Sequence, residues 1–166
     1  MLKPWTFVIA SHAIVATAAI VLGTFNVFRM VRGDRIHKAV GRTWAGLMLF
    51  VSIGSFFVGS FGDALSIFLH GLAAWTIFSI CAGIYFARCG NINAHKGFML
   101  GTYFGLLGAS IGVIAVPTRR VPSYFEAHPV AMTLVAIAIV AAAGFFIALV
   151  IRNPHTDHVK SIEHKL

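Results

Sequence analysis

The stretch VAIAIVAAAGFFIALVI, from Val135 to Ile151, runs for 17 residues without a charged or strongly polar side chain. Four more apolar stretches accompany it, Trp5 to Met30, Thr43 to Phe61, Ala64 to Ala87 and Phe98 to Val116, and its own stretch begins at Val130 and ends at Ile151. Each approaches or exceeds the roughly 20 helical residues that cross a bilayer core. With 58% of the residues hydrophobic and 11% charged, most of the chain has no use for water as a neighbour. An integral membrane protein with five transmembrane helices is expected.

Helix follows from the solvent. In lipid the backbone must satisfy its own hydrogen bonds within a segment or in a closed barrel, and these runs lack the alternation of barrel strands. The first run, with Lys3 ahead of it and Ala-Thr-Ala at Ala16 to Ala18, has the outline of a secretory signal. Its apolar character continues well beyond that point, so a permanent helix is expected.

Basic residues set the orientation. Arg29, Arg32, Arg35, Lys38, Arg42, Arg88, Lys96, Arg152, Lys160 and Lys165 fall on one side of the five segments, and Lys3, Arg119 and Arg120 on the other. The positive-inside rule puts the first set in the cytoplasm, the N-terminus outside and the C-terminus inside. The net charge of +8 is then topology, with some attraction for anionic headgroups of the membrane lipids. No nucleic-acid partner is expected, because the positive charge is spread over loops without a reader motif. Cys81 and Cys89 are separated by about 12 Å of helical rise, beyond disulfide reach.

The chain also repeats itself. HKAVGRTWAG begins at His37 and HKGFMLGTYFG at His95, 58 residues later; His12 and His70, both well inside apolar segments, are also separated by 58. The spacing from first to second histidine is 25 in each unit. This reads as a duplicated helical hairpin forming a four-helix bundle plus one extra helix. Parallel repeats place equivalent residues at equivalent depths, so His12 pairs in depth with His70 near the outer face, and His37 with His95 near the inner one.

Ionisable groups within a membrane segment point to function, although a histidine there also serves as polar glue between helices, and an interfacial one needs no special role. Paired imidazoles facing each other suit haem iron, which takes axial histidines, with a flat porphyrin between helices where small residues make room. Gly97, Gly101 and Gly105, Gly71 and Ala74, and Gly41 and Gly46 are such residues; close helix packing uses the same pattern. Arg42, Lys96, Lys38 and Arg88 are placed to meet inner haem propionates, and Arg119 and Arg120 outer ones, or to anchor the interface. Trp75 is a further aromatic near His70. Zinc or copper is disfavoured by only two ligands per level, and a proton relay by the position of Asp34, Asp63, Glu126, Asp157 and Glu163 at helix ends or in loops. His128 reads as a loop or capping residue, and His155, His158 and His164 as part of a polar tail.

The arrangement of four histidines over Trp5 to Val116 resembles the four-helix core of the cytochrome b-561 class of diheme proteins, which implies pairing of the first helix with the third and the second with the fourth. HKAVGRTW and RCGNINAHKGFM resemble the bacterial membrane family domain of unknown function 2306, over most of the chain. Leu100 stands where that family's second motif usually has Arg.

Together these imply a bacterial inner (plasma) membrane protein with two haem b groups, held by His12 with His70 and by His37 with His95. The two irons would lie roughly 20 Å apart along the membrane normal by helical rise. Electrons would cross between the faces, exchanged with a quinone pool or a redox partner protein. The competing expectation is a cofactor-free accessory or scaffold subunit of a larger respiratory or photosynthetic membrane complex, docking through the histidine-free fifth helix. A transporter is disfavoured because no segment is broken at mid-membrane. The expected divisions are residues 1–116 for the four-helix core, 117–151 for the outer loop and fifth helix, and 152–166 for a polar tail.

Overall fold

The computed structural model describes residues 7–57, 64–115 and 120–152, apart from the side chains of Leu65 and Arg120. Lys3, Trp5, Asp63, Arg119 and most of the tail, including Asp157, Lys160, Glu163, Lys165 and the three tail histidines, lie outside them. Every regular element among the described residues is a helix: α1 Phe7–Phe28, α2 Arg35–Ser55, α3 Ala64–Arg88, α4 Ile92–Ile114, α5 Arg120–Ala127 and α6 Pro129–Arg152.

Four of these, α1, α3 from Ser66, α4 and α6, are long and apolar enough to cross a membrane. α2 differs. Its 21 residues rise about 31 Å, but its first half carries Arg35, Lys38 and Arg42, and it buries Val40, Trp44, Ala45, Met48, Val51 and Ser52 along one face.

Two helix starts differ from the sequence expectation, and both differences come from caps. α2 begins at Arg35 rather than Thr43, because the carboxylate of Asp34 accepts the backbone N–H of His37 at 2.9 Å. α4 begins at Ile92 rather than Phe98, because Asn91 Oδ1 accepts from the Ala94 N–H at 3.1 Å. Such side chains satisfy amide groups that the first turn leaves without intrahelical partners. Ahead of each cap stands a glycine with positive φ, Gly33 at 80° and Gly90 at 77°, a conformation that side-chain-bearing residues avoid. The short α5, with Pro122 inside its first turn, falls within the expected outer loop.

Packing follows chain order. α1 lies against α2, α2 against α3, α3 against α4, and α4 closes the ring onto α1, while α6 covers α1 and α2 from outside. The expected pairings of first with third and second with fourth helix are therefore diagonals of the ring and not direct backbone contacts. A core of Ala19, Leu22, Val40, Trp44, Ala45, Met48, Ile80, Tyr103, Leu106 and Ala143 fills the interior. Phe68, Phe78, Phe104 and Phe145 are exposed around the ring, as expected of faces solvated by lipid.

Candidate functional site: two tiers of histidine

On α1 the residues His12, Ala19, Gly23 and Asn26 follow a helical stripe, and on α2 His37, Gly41, Trp44, Met48 and Val51 do the same. These stripes carry the two histidine levels and the layer between them.

At the outer level, His12 sits against the far end of α2. Its imidazole lies close to the Val51 backbone, and its Nδ1 lies 3.6 Å from where a Cβ on Gly54 would stand. That Nδ1 is buried and has no hydrogen-bond partner. His70, 6% exposed, approaches the same end of α2 from α3, its ring 5.6 Å from that of Phe56. Nδ1 of His70 lies 2.6 Å from the Ser66 carbonyl. A carbonyl only accepts, so the bond fixes the proton on Nδ1 and puts the lone pair of the neutral ring on Nε2.

The inner level repeats the device. His95 Nδ1 donates to the Gly83 carbonyl of α3 at 2.9 Å, again leaving the lone pair on Nε2. His37, on the first turn of α2, lies within Coulombic reach of His95, and its buried Nδ1 has no hydrogen-bond partner. Just outside, Arg29 and Asp34 form a bidentate ion pair, with one N–O distance of 2.6 Å. The guanidinium, with the His37 backbone N–H second, holds the Asp34 carboxyl well below the usual carboxylate range. The turn leading into α2 is thereby fixed.

Between the tiers, Trp44 and Tyr103 converge on Gly23. A Cβ there would stand 2.7 Å from Trp44 Nε1 and 2.8 Å from Tyr103 Cδ2. The Thr24 hydroxyl donates to the Ile20 carbonyl at 2.7 Å and lies 2.8 Å from the Tyr103 hydroxyl, which must therefore be the donor of that second bond.

The other expected residues fall elsewhere. Arg42, Lys96, Lys38 and Arg88 are exposed on their helices. Gly97 and Gly101, expected to make interior room, instead line an outward groove of about 360 Å³ between α3 and α4 with Trp75, Ser79, Ala94 and Phe98. Gly46, Gly71 and Ala74 are also exposed, so the small residues that bear on the histidines are Gly54 and Gly83. Phe56, rather than Trp75, is the ring beside His70. Spacing by four reveals a stripe but not the direction it faces. His128 is exposed at the start of α6, where its carbonyl accepts from the Met132 N–H at 3.1 Å. Cys81 and Cys89 are free thiols.

A test of the fit to haem rests on these nitrogens. Two rings have Nδ1 tied to a carbonyl, as a metal-binding histidine commonly does, and two have a buried Nδ1 without a partner. Among the described residues no three His, Cys, Asp or Glu side chains converge, and a haem iron takes two axial ligands. The two tied rings have the orientation a metal-binding histidine commonly has.

The chain is thus a helical membrane protein with two histidine tiers in one bundle. It belongs to the family DUF2306, described as a predicted membrane protein, whose model matches residues 9–151. No curated protein and no solved structure matches it significantly.

Proposed function

We propose that the protein is a transmembrane electron carrier with two b-type haems, His12 and His70 serving the outer one and His37 and His95 the inner. The observation that carries this reading is the tautomer set at one histidine of each tier: the Ser66 and Gly83 carbonyls hold Nδ1–H and turn the lone pair to Nε2. When bound, each haem supplies a one-electron couple. The chain's own part is to fix the ring planes, to exclude water with Trp44 and Tyr103 between the tiers, and to keep the inner turn rigid through Arg29 and Asp34. Arg42 and Lys96, on exposed faces, would meet the propionates by extending their side chains toward the interface.

In this reading α2 crosses as the fifth span, shielded by its neighbours, in a bacterial inner membrane with the N-terminus outside and the C-terminus cytoplasmic. Electrons pass between the faces, exchanged with a quinone pool or a redox partner protein.

The test is a dithionite-reduced minus oxidised spectrum of the purified protein with a pyridine haemochrome count. Sharp b-type bands and about two haems per chain are expected from the ligand count. A protein that stays colourless when expressed with ample haem overturns the reading and leaves the histidines as polar packing in an accessory subunit of a larger complex.

A further inference from the structure

At Gly23 and Gly83 a Cβ would collide with a neighbouring side chain, so the bare backbone is what lets those helices meet. Gly97 and Gly101, one turn apart on α4, do something else: a Cβ at either would meet nothing within 4 Å. Glycine inside a helix is unfavourable relative to alanine, and at these two positions no close contact offsets that. What they preserve is empty volume, the outward groove of about 360 Å³ between α3 and α4, which they line with Trp75, Ser79, Ala94 and Phe98.

The aromatic walls of the groove are braced. Phe98 stacks on Phe86 with ring centroids 5.7 Å apart and meets Phe78 edge-on at 6.1 Å, and Phe78 in turn contacts Trp75 at 5.3 Å. Ser79 supplies the hydroxyl of the lining and is 2% exposed. Thr17, Thr24 and Ser110 each give the hydroxyl proton to a carbonyl one turn back. Ser79 makes no such bond among the described residues, so a donor is left facing the groove, where buried polar groups are ordinarily paired.

The groove also adjoins the inner tier. Ser79 stands one turn, about 6 Å of rise, before Gly83, whose carbonyl holds His95, and Ala94 precedes His95 in the chain. The groove looks outward, where lipid is, and none of its lining residues is charged. An occupant is therefore neutral and lipid-soluble. Aromatic walls over a glycine floor suit a flat ring, and the Ser79 O–H asks for an acceptor on that ring. An acyl chain has no such acceptor. A helix of a second copy is opposed by Phe104, 59% exposed and one turn beyond Gly101, which interrupts the small-residue face.

We infer that the groove between α3 and α4 binds the head ring of a membrane quinone, with Ser79 donating to one of its carbonyl oxygens. A quinone ring is flat and neutral, its carbonyls only accept, and its apolar tail stays in the bilayer. The inference deepens the carrier reading and rests on it for the use made of the bound quinone, which would lie beside the inner tier. Occupancy itself depends only on the shape of the groove and one hydrogen bond.

The experiment measures saturable uptake of tritiated decylubiquinone by the full-length protein in lipid nanodiscs, haem-free and haem-loaded, after subtraction of uptake by empty nanodiscs. About one quinone per chain is expected. Ser79→Ala should weaken binding about tenfold, the worth of one hydrogen bond. Gly97→Leu and Gly101→Leu, which fill the groove, should abolish saturable uptake, whereas Gly46→Leu, on the exposed surface of α2, should leave it unchanged. Ser79→Ala, nearly isosteric, keeps the test decisive should leucine disturb the helices. Binding by the Ser79 or the groove variants as tight as the parent's overturns the inference, as does a parent without saturable uptake in either preparation; a parent dimer that Gly101→Leu splits would then assign the groove to a second copy. A colourless protein that takes up quinone keeps the site and removes the carrier, and a two-haem protein that takes up none keeps the carrier and removes the site.

Discussion

Trp44 Nε1 lies 2.7 Å from the place a Cβ would occupy on Gly23, so α1 and α2 approach as closely as they do only because that residue has no side chain. In a membrane, where apolar burial gives helices little reason to associate, such close packing supplies much of the attraction. Gly23→Ala forces the indole or the Tyr103 ring aside. Overpacking of this kind costs about 1 to 3 kcal/mol, against a gain of about 1 kcal/mol from helix propensity. Gly46, exposed with open space at its Cβ position, has only the gain. Thermal unfolding in detergent should show Gly23→Ala less stable than the parent and Gly46→Ala equal to it or better. The reverse order would mean that the Gly23 contact is not made.

On the proposed diheme function, removing either tier should remove one haem and leave the other. His70→Ala deletes the ring held by Ser66, and His95→Ala the one held by Gly83, so each variant should fall from two haems to one in the haemochrome count. The double variant should contain none. Loss of both haems from either single variant, with the helix content unchanged by circular dichroism, would contradict two independent sites.

Asp34 gives a pH signature. Its carboxyl is held low in the folded protein by Arg29 first and the His37 amide second, so it binds a proton more readily when unfolded. Its contribution is complete above the unfolded value of about 3.9 and is lost as pH falls below it toward the folded one. The melting temperature of the parent should therefore drop more steeply below about pH 4 than that of Asp34→Asn, which retains a cap but has no carboxylate. Parallel curves would show that the ion pair is not maintained in solution.

Asn91 caps α4 just ahead of His95. Asn91→Ala should cost about 0.5 to 2 kcal/mol, whereas Asn91→Asp, an equally good cap beside a helix N-terminus, should be close to neutral. Chemical denaturation in a mixed-micelle system distinguishes them.

The membrane class and the courses of α1, α3 and α6 were readable from apolar run length, because in lipid that property alone decides what is helical. α2 and α4 were drawn too short because Arg35, Lys38 and Arg42, and likewise Lys96, interrupt the apolar run. The readable signal was the Gly33-Asp34 and Gly90-Asn91 pairs, which mark turn and cap independently of hydropathy. The duplicated histidines stood out through their spacing. Their surroundings did not, since the Ser66 and Gly83 carbonyls are backbone atoms, and nothing in the letters of Gly23, Trp44 and Tyr103 says that they meet. The sidedness of the glycines was misread for a related reason: a period shows which residues share a face, and only the assembled ring shows where that face looks.

The two capped turns are not perfect copies. Gly33 and Gly90 are 57 residues apart, as are Asp34 and Asn91, yet the histidines that follow are 58 apart. His37 is three residues past its cap and His95 four, a difference of about 100° in azimuth around the helix axis. One inserted residue thus acts as a phase shift, breaking the symmetry of the duplication so that two side chains launched from diagonal helices are aimed independently. The hairpins are therefore not interchangeable modules. A tandem of two first hairpins would preserve every histidine and every cap, and would still rotate one inner imidazole out of step with its partner.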